Sequence, residues 1–176
     1  TRNDSEFRTL PKFARGVELV RNGRIGKLQR ILVAVPSDGP PLPVQPTMPV
    51  PPELNYDFWL GPAWETPYTE KRVHDIKINT TRPGWMRVDS YCNGMISNWG
   101  AHLMGIVQWG NNTEYSGPIN IEGTGEFDKG LWNTLNKFNI KYRYASGVEV
   151  FFKIERPYVR FEGTDGWIEI EYSDKI

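Results

Sequence analysis

YCNGMISNWGAHLMGIVQWG, Tyr91 to Gly110, is a turn that feeds one amphipathic helix, and the reading of the chain works outward from it. Asn93-Gly94 is a turn dipeptide, and Ser97 or Asn98 can cap a helix by accepting from its free N–H groups. Gly110 with Asn111-Asn112 supplies a left-handed stop. Between these signals lie about three turns. Trp99, Leu103 and Ile106 form a core stripe at i, i+4, i+7, while Asn98, His102 and Gly105 share a neighbouring one. His102 therefore falls over Asn98 beside a helix start, where unpaired N–H donors and the positive dipole end favour chemistry. The same spacing is equally met by a half-buried core histidine and a simple cap.

Upstream, Ser5 to Asn22 reads as a helix: Ser5 is a candidate cap, and Phe13, Val17 and Val20 make a stripe ending at Asn22-Gly23. The β-branched, unbroken apolar run that ends Gly26 to Val35 predicts a strand buried on both faces. Pro36 to Pro52 holds eight of the fourteen prolines and predicts an extended surface connection. Asn55 to His74 predicts an ordered loop packed by Tyr56, Phe58, Trp59 and Trp64. Arg72 and His74 at its end, with Arg87 and Tyr91 ahead of the central helix, are candidate contacts for a polyhydroxylated or carboxylated ligand. They read equally as surface residues closing the loop. Arg82 to Trp85 is a turn, and Met86-Arg87-Val88 a short strand or connector.

Downstream, residues 118–127, 131–143, 148–154, 158–162 and 167–172 largely alternate apolar and polar and are separated by turn residues. Their succession most simply predicts an antiparallel meander covered by the two helices: an α+β fold with an open, mostly antiparallel sheet and helices on one face. The other face would carry Asn139, Lys141, Arg143, Glu149, Lys153, Arg160 and Glu169, with Trp132 and Tyr144 as candidates to join it, and could pair with a second copy.

Composition bounds what remains. A chain of 176 residues is one domain, 1–176, with a real core. Charges balance at 21 against 21, which argues against a nucleic-acid or anionic-membrane partner. No apolar run reaches the length of a membrane span. A targeting signal for cytoplasm or periplasm would lie upstream of Thr1, so localisation stays open. A single cysteine, Cys92, excludes a disulfide framework and a multi-cysteine zinc site, and no metal is expected. Gly123-Thr124-Gly125 follows a strand but opens no helix, so it fails as a dinucleotide fingerprint.

GMISNWGAHLMGIVQWG (94–110) resembles the signature region of the glucose-fructose oxidoreductase / inositol dehydrogenase / MocA family, which carries Asp-x-Gly-x-His-x-x-Asp at a helix start. Asn98, Gly100 and His102 occupy the first three fixed positions and Gly105 the last. FARGVELVRNGRIGKLQRILV (13–33), FWLGPAW (58–64), EGTGEF (122–127) and VRFEGTDGWIEI (159–170) extend the likeness along the chain. The resemblance implies a C-terminal substrate-binding and oligomerisation domain whose own N-terminal Rossmann domain holds NAD or NADP. The fragment itself would bind no cofactor and would be inactive alone. It implies a sugar, cyclitol or related polyol as substrate, with His102 as acid/base assisted from position 98, and a homo-oligomer formed through the sheet face. The Glu-Lys-Pro of the family's Rossmann domain has no counterpart in Glu70-Lys71-Arg72. An amide at Asn98 can hold a hydroxyl but cannot take its proton. A nicotinamide-dependent glycoside hydrolase of the same family, and a non-catalytic carbohydrate-binding or scaffold module, are the alternatives.

Overall fold

The computed structural model describes residues 5–73 and 82–172. In chain order the elements are α1 (Pro11–Arg21), β1 (Leu28–Val35), α2 (Tyr56–Leu60), α3 (Glu70–Val73), α4 (Trp99–Gly110), β2 (Asn120–Phe127), β3 (Leu135–Arg143), β4 (Glu149–Ile154), β5 (Tyr158–Gly163) and β6 (Trp167–Glu171). Short 3₁₀ turns at Glu6–Thr9, Gly84–Arg87 and Gly94–Ile96 complete the set. The chain forms two compact units: Thr1–Ser37, Trp99–Gly125 and Lys137–Ile176 in the first, Asp38–Asn98 and Glu126–Asn136 in the second.

The first unit is built on one open sheet of order β2-β3-β4-β1-β5-β6. The five strands predicted downstream all form, but not as a meander. β1 lies between β4 and β5, parallel to the first and antiparallel to the second, and β3 pairs with β4 and β5 with β6 in antiparallel fashion. The reason is burial. Ile31, Val33, Ala34 and Val35 are 0–1% exposed, and only a strand covered on both sides by neighbours can bury so continuous an apolar run. The turn from β4 to β5 therefore passes over the end of β1, where the Glu155 N–H donates to the Val35 carbonyl at 3.0 Å.

Register sorts the two faces. Ile31 and Val33, with Val150, Phe152, Val159, Phe161, Ile168 and Ile170, share the face covered by α1 and α4. Both helices approach closely because glycine faces the sheet. A Cβ on Gly16 would meet Ile170 at 2.3 Å, and one on Gly110 would meet the Phe161 ring at 2.4 Å. α4 stops as predicted, with Asn112 at φ 57°, its N–H on the Trp109 carbonyl and that of Thr113 on the Gln108 carbonyl. Pro11 opens α1, so the helix predicted from Ser5 is broken at Leu10 into a 3₁₀ turn and a helix. The opposite face carries the polar residues that alternation assigned to it: Asn139, Lys141 and Arg143 pair with Lys153, Phe151 and Glu149, and Arg160 with Glu169. Opposite charges meet across its strands, as in Arg30–Glu162 at 2.5 Å and Lys141–Glu149 at 2.8 Å. Tyr144 is instead buried, its hydroxyl donating to Gln108 Oε1 of α4 at 2.7 Å.

The second unit contains the proline run, which forms no helix or strand, and α2 and α3. The loop expectation for residues 55–74 is thus corrected by two short helices. Of the four aromatics expected to pack it, Tyr56 and Trp59 stack at 5.7 Å, whereas Phe58 and Trp64 are 83% and 84% exposed. Met86-Arg87-Val88 is a connector around the 3₁₀ turn rather than a strand. What ties the unit is Asp38, nearly buried between two guanidinium groups, with Arg82 at 3.2 Å and Arg87 at 2.9 Å. Arg87 also lies over the Trp132 ring at 4.3 Å, and the Trp132 indole donates to the Lys71 carbonyl at 3.1 Å. Burial holds the Arg82 guanidinium below its ordinary pKa, with Asp38 pulling the other way and Arg87 adding to the fall.

Gly110→Ala forces a methyl into the fully buried Phe161 ring and is expected to destabilise by about 1–3 kcal/mol. Gly105, on the same helix with nothing within 4 Å of its virtual Cβ, is the control, where alanine is expected to stabilise by about 0.5–1 kcal/mol. Urea midpoints at unchanged slope measure both. Asp38→Ala leaves Arg82 and Arg87 uncompensated and is expected to cost about 3–5 kcal/mol. Adding Arg82→Met should recover part of that loss in the same thermal-unfolding assay; a wild-type melting curve for Asp38→Ala would sink the account.

Candidate functional site

His102 sits on α4 with its side chain 25% exposed. Its ring is fixed from two directions. It stacks on Phe7 at 4.7 Å and 17°, and Phe7 in turn stacks on Tyr172 at 4.9 Å and 5°, with Trp99 edge-on to both. Its Nδ1 lies 2.9 Å from the Ser5 hydroxyl and 3.7 Å from a Glu6 carboxylate oxygen. Ser5 is therefore not a helix cap; its hydroxyl is spent on the imidazole, and no capping bond forms. With Nδ1 engaged, Nε2 is the nitrogen left for exchange with a ligand. With the proton on Nδ1, Nε2 carries the lone pair that can accept a proton from a ligand.

Arg8 closes the same region. It donates to the Gly105 carbonyl at 3.2 Å and to Glu114 at 2.7 Å, and lies 5.5 Å from the Trp109 ring centre. At Gly105 the open space would admit a carboxylate-bearing side chain.

Asn98 is the last residue of the second unit, its N–H donating to the Gly94 carbonyl at 3.0 Å. Ser97 faces back onto the preceding turn: its hydroxyl accepts from the Asn93 N–H at 3.1 Å and touches Cys92 Sγ at 3.2 Å. Tyr91 is half-buried, its hydroxyl 3.2 Å from Thr66 Oγ1 and its ring edge-on to Trp59. Arg72 is half-buried, and its Nε lacks a hydrogen-bond partner. Burial pushes the Tyr56 hydroxyl up in pKa against the pull of Thr66 and of the Arg72 guanidinium, so Arg72, Tyr56, Thr66 and Tyr91 form one neighbourhood. Arg87 is held away from it by Asp38 and Trp132. His74 lies outside the described residues.

Two features escaped the sequence reading. Ser5 and Glu6 were legible only as a helix start, since their partner is 97 positions away for Ser5. A depression of about 500 Å³ in the second unit is lined by Met48, Tyr56, Asp57, Glu65, Thr66 and Tyr68 among others. The clue available was aromatic and acidic residues alternating in a stretch without periodicity. Among the described residues, no three His, Cys, Asp or Glu side chains gather to hold a metal ion, and no helix is long and apolar enough to cross a membrane.

Comparison with solved structures identifies the fold. GenD2 from gentamicin A biosynthesis, solved with NAD, superposes at a TM-score of 0.60 with 13% identity, covering 97% of this chain and 42% of that one. Aldose-aldose oxidoreductase from Caulobacter crescentus, solved with glycerol, gives 0.58 at 12% identity over 94% and 39%. A myo-inositol dehydrogenase from Corynebacterium glutamicum gives 0.54 at 14% identity over 96% and 40%. The chain thus spans about two-fifths of these structures, and at such identity they establish the fold alone. No curated protein matches the chain. A family profile described as the C-terminal alpha/beta domain of an oxidoreductase family matches residues 43–174. That match covers most of the sequence, and the chain belongs to the glucose-fructose oxidoreductase, inositol dehydrogenase and MocA family as its C-terminal domain.

Proposed function

We propose that this chain is the substrate-binding and oligomerisation domain of a nicotinamide-dependent oxidoreductase acting on a sugar, cyclitol or related polyol. The observation that carries the reading is the setting of His102, whose Nδ1 is tied to Ser5 with Glu6 nearby and whose ring is stacked on Phe7. A half-exposed imidazole with one nitrogen engaged and the other available is what a general base for a substrate hydroxyl requires. NAD or NADP would be bound by the N-terminal Rossmann domain that the family resemblance implies. The cofactor would supply the hydride acceptor. Deprotonation of the substrate hydroxyl falls to His102 Nε2, with Glu6 stabilising the charge formed there. Asn98, four residues before His102, is a neutral amide that would orient a hydroxyl without accepting a proton, and Arg72 and Tyr91 are the groups that the second unit would offer a ligand by itself.

For assembly, the charged open face of the sheet is the surface assigned to a second copy of the chain. The face mixes ion pairs with the half-buried Phe151 and the exposed Trp167, which lies 4.1 Å from the Arg160 guanidinium carbon. It also carries a shallow depression between Arg30, Phe151 and Tyr158.

In the full-length protein, His102→Gln should lower kcat by about 10²–10⁴ with cofactor affinity unchanged; equal loss of cofactor binding would reject the substrate-side role. Ser5→Ala and Glu6→Gln should each lower kcat several-fold with little effect on KM, and Ser5→Thr should restore the first. Asn98→Asp is expected to change turnover while leaving cofactor affinity alone. Appearance of free sugar without net cofactor reduction would transfer the chain to the glycosidase alternative.

A further inference from the structure

The depression in the second unit lies outside the His102 region and takes no part in the proton chemistry assigned there. Its geometry is held by a small number of contacts. Asn55 caps α2, its side chain accepting from the Phe58 N–H at 3.0 Å, which fixes Asp57 in the first turn. Trp59 stacks on Tyr56, and the Tyr56 and Tyr68 rings meet at right angles with centres 5.3 Å apart. The proline run is fastened alongside by the Met48 N–H, which donates to the Tyr68 carbonyl at 2.9 Å. Two aromatic rings thus meet in a corner floored by the apolar side chains of Met48, Val50 and Leu60.

The charged side chains in that lining are both carboxylates, Asp57 and Glu65, and neither lysine nor arginine is among the lining residues. Both are exposed and turned to the rim side of an apolar hollow. The field around the corner is acidic beyond them: Glu70 and Glu53 both act on the Tyr68 hydroxyl, which burial already pushes up in pKa, so the phenol stays neutral there. The Arg72 guanidinium acts on the Tyr56 hydroxyl but is not among the lining residues, so the charged groups an anion would meet in the lining are the Asp57 and Glu65 carboxylates, and a purely apolar guest would leave both unpaired. A cation with an apolar shell meets ring faces and carboxylates together.

We propose that this pocket binds a small organic cation of the quaternary-ammonium or alkylamine class, with Tyr56 and Tyr68 against its alkyl shell and Asp57 and Glu65 against its charge. The lining includes none of the residues proposed above to meet the polyol, although Tyr56 and Thr66 adjoin Arg72 and Tyr91. Its volume of about 500 Å³ falls within the range of ordinary small-molecule pockets and admits an alkylammonium ion larger than choline.

The test uses choline and its neutral isostere 3,3-dimethylbutan-1-ol as probes on the full-length protein, by calorimetry and ligand-observed NMR at low ionic strength. Choline should bind at least about tenfold more tightly than the isostere. Asp57→Asn with Glu65→Gln should abolish that preference, and Tyr56→Leu should weaken choline with the fold intact by circular dichroism. Raising salt to about 0.5 M should weaken choline and spare the isostere, since exposed carboxylates are screened. Turnover on a polyol should be unchanged in the carboxamide variant, which separates this site from the His102 chemistry. Equal affinity for the two probes, choline binding that survives the double variant, or no choline binding in the millimolar range would each overturn the proposal.

Discussion

The central position of β1 is the constraint from which the first unit follows. A strand apolar on both faces cannot stand at an edge, so β4 and β5 must flank it, and the covering helices must seal the side that Ile31 and Val33 share with Phe161. Sealing it sets where α4 runs, since Gly110 lets that helix rest directly on the Phe161 ring. The 3₁₀ turn ahead of α1 then lies against α4, and this brings Ser5, Glu6 and Phe7 to His102. The imidazole owes its orientation to a packing problem solved elsewhere in the sheet.

The second unit is held differently. It has few buried aliphatic side chains and relies on an aspartate shared by two guanidinium groups, aromatic edges, and backbone contacts so close that glycine is needed. At Gly130, with φ 131°, a Cβ would stand 2.2 Å from the Leu42 carbonyl oxygen. Interactions of this kind are directional. They specify one arrangement where a smooth apolar core would tolerate several, at the expense of a buried cation that a hydrophobic replacement would not need.

Local signals were legible where local physics decides. Alternation found all five late strands and assigned Lys141, Arg143 and Glu149 to the uncovered face, because the period of two is a property of the strand itself. The stop at Asn112 and the helix start at Pro11 belong to the same class, although the second was passed over in reading one helix from Ser5 to Asn22. Strand order was not legible: succession suggested neighbours, and only the need to bury Val33 on both sides places β1 among strands that come far later. For the same reason His102 was singled out as a candidate, from spacing and family likeness, while its contacts Ser5 and Glu6 were not. Phe58 and Trp64 were assigned to packing by their chemistry alone, yet a five-residue helix has only one inner face, and that face was taken by Tyr56, Trp59 and Leu60.

The two neighbours of β1 carry an implication for biosynthesis. Ile31 is made well over a hundred residues ahead of the partners it pairs with, Val150 on one side and Phe161 on the other. At roughly 5–20 residues per second, a ribosome delivers those partners on the order of ten seconds later. Throughout that interval the most apolar strand of the chain has both hydrogen-bonding edges open, a state prone to pairing with another nascent chain. The sheet can close only once β4 and β5 have followed β1 out of the ribosome, and until then α1 is the neighbouring element able to shield the strand.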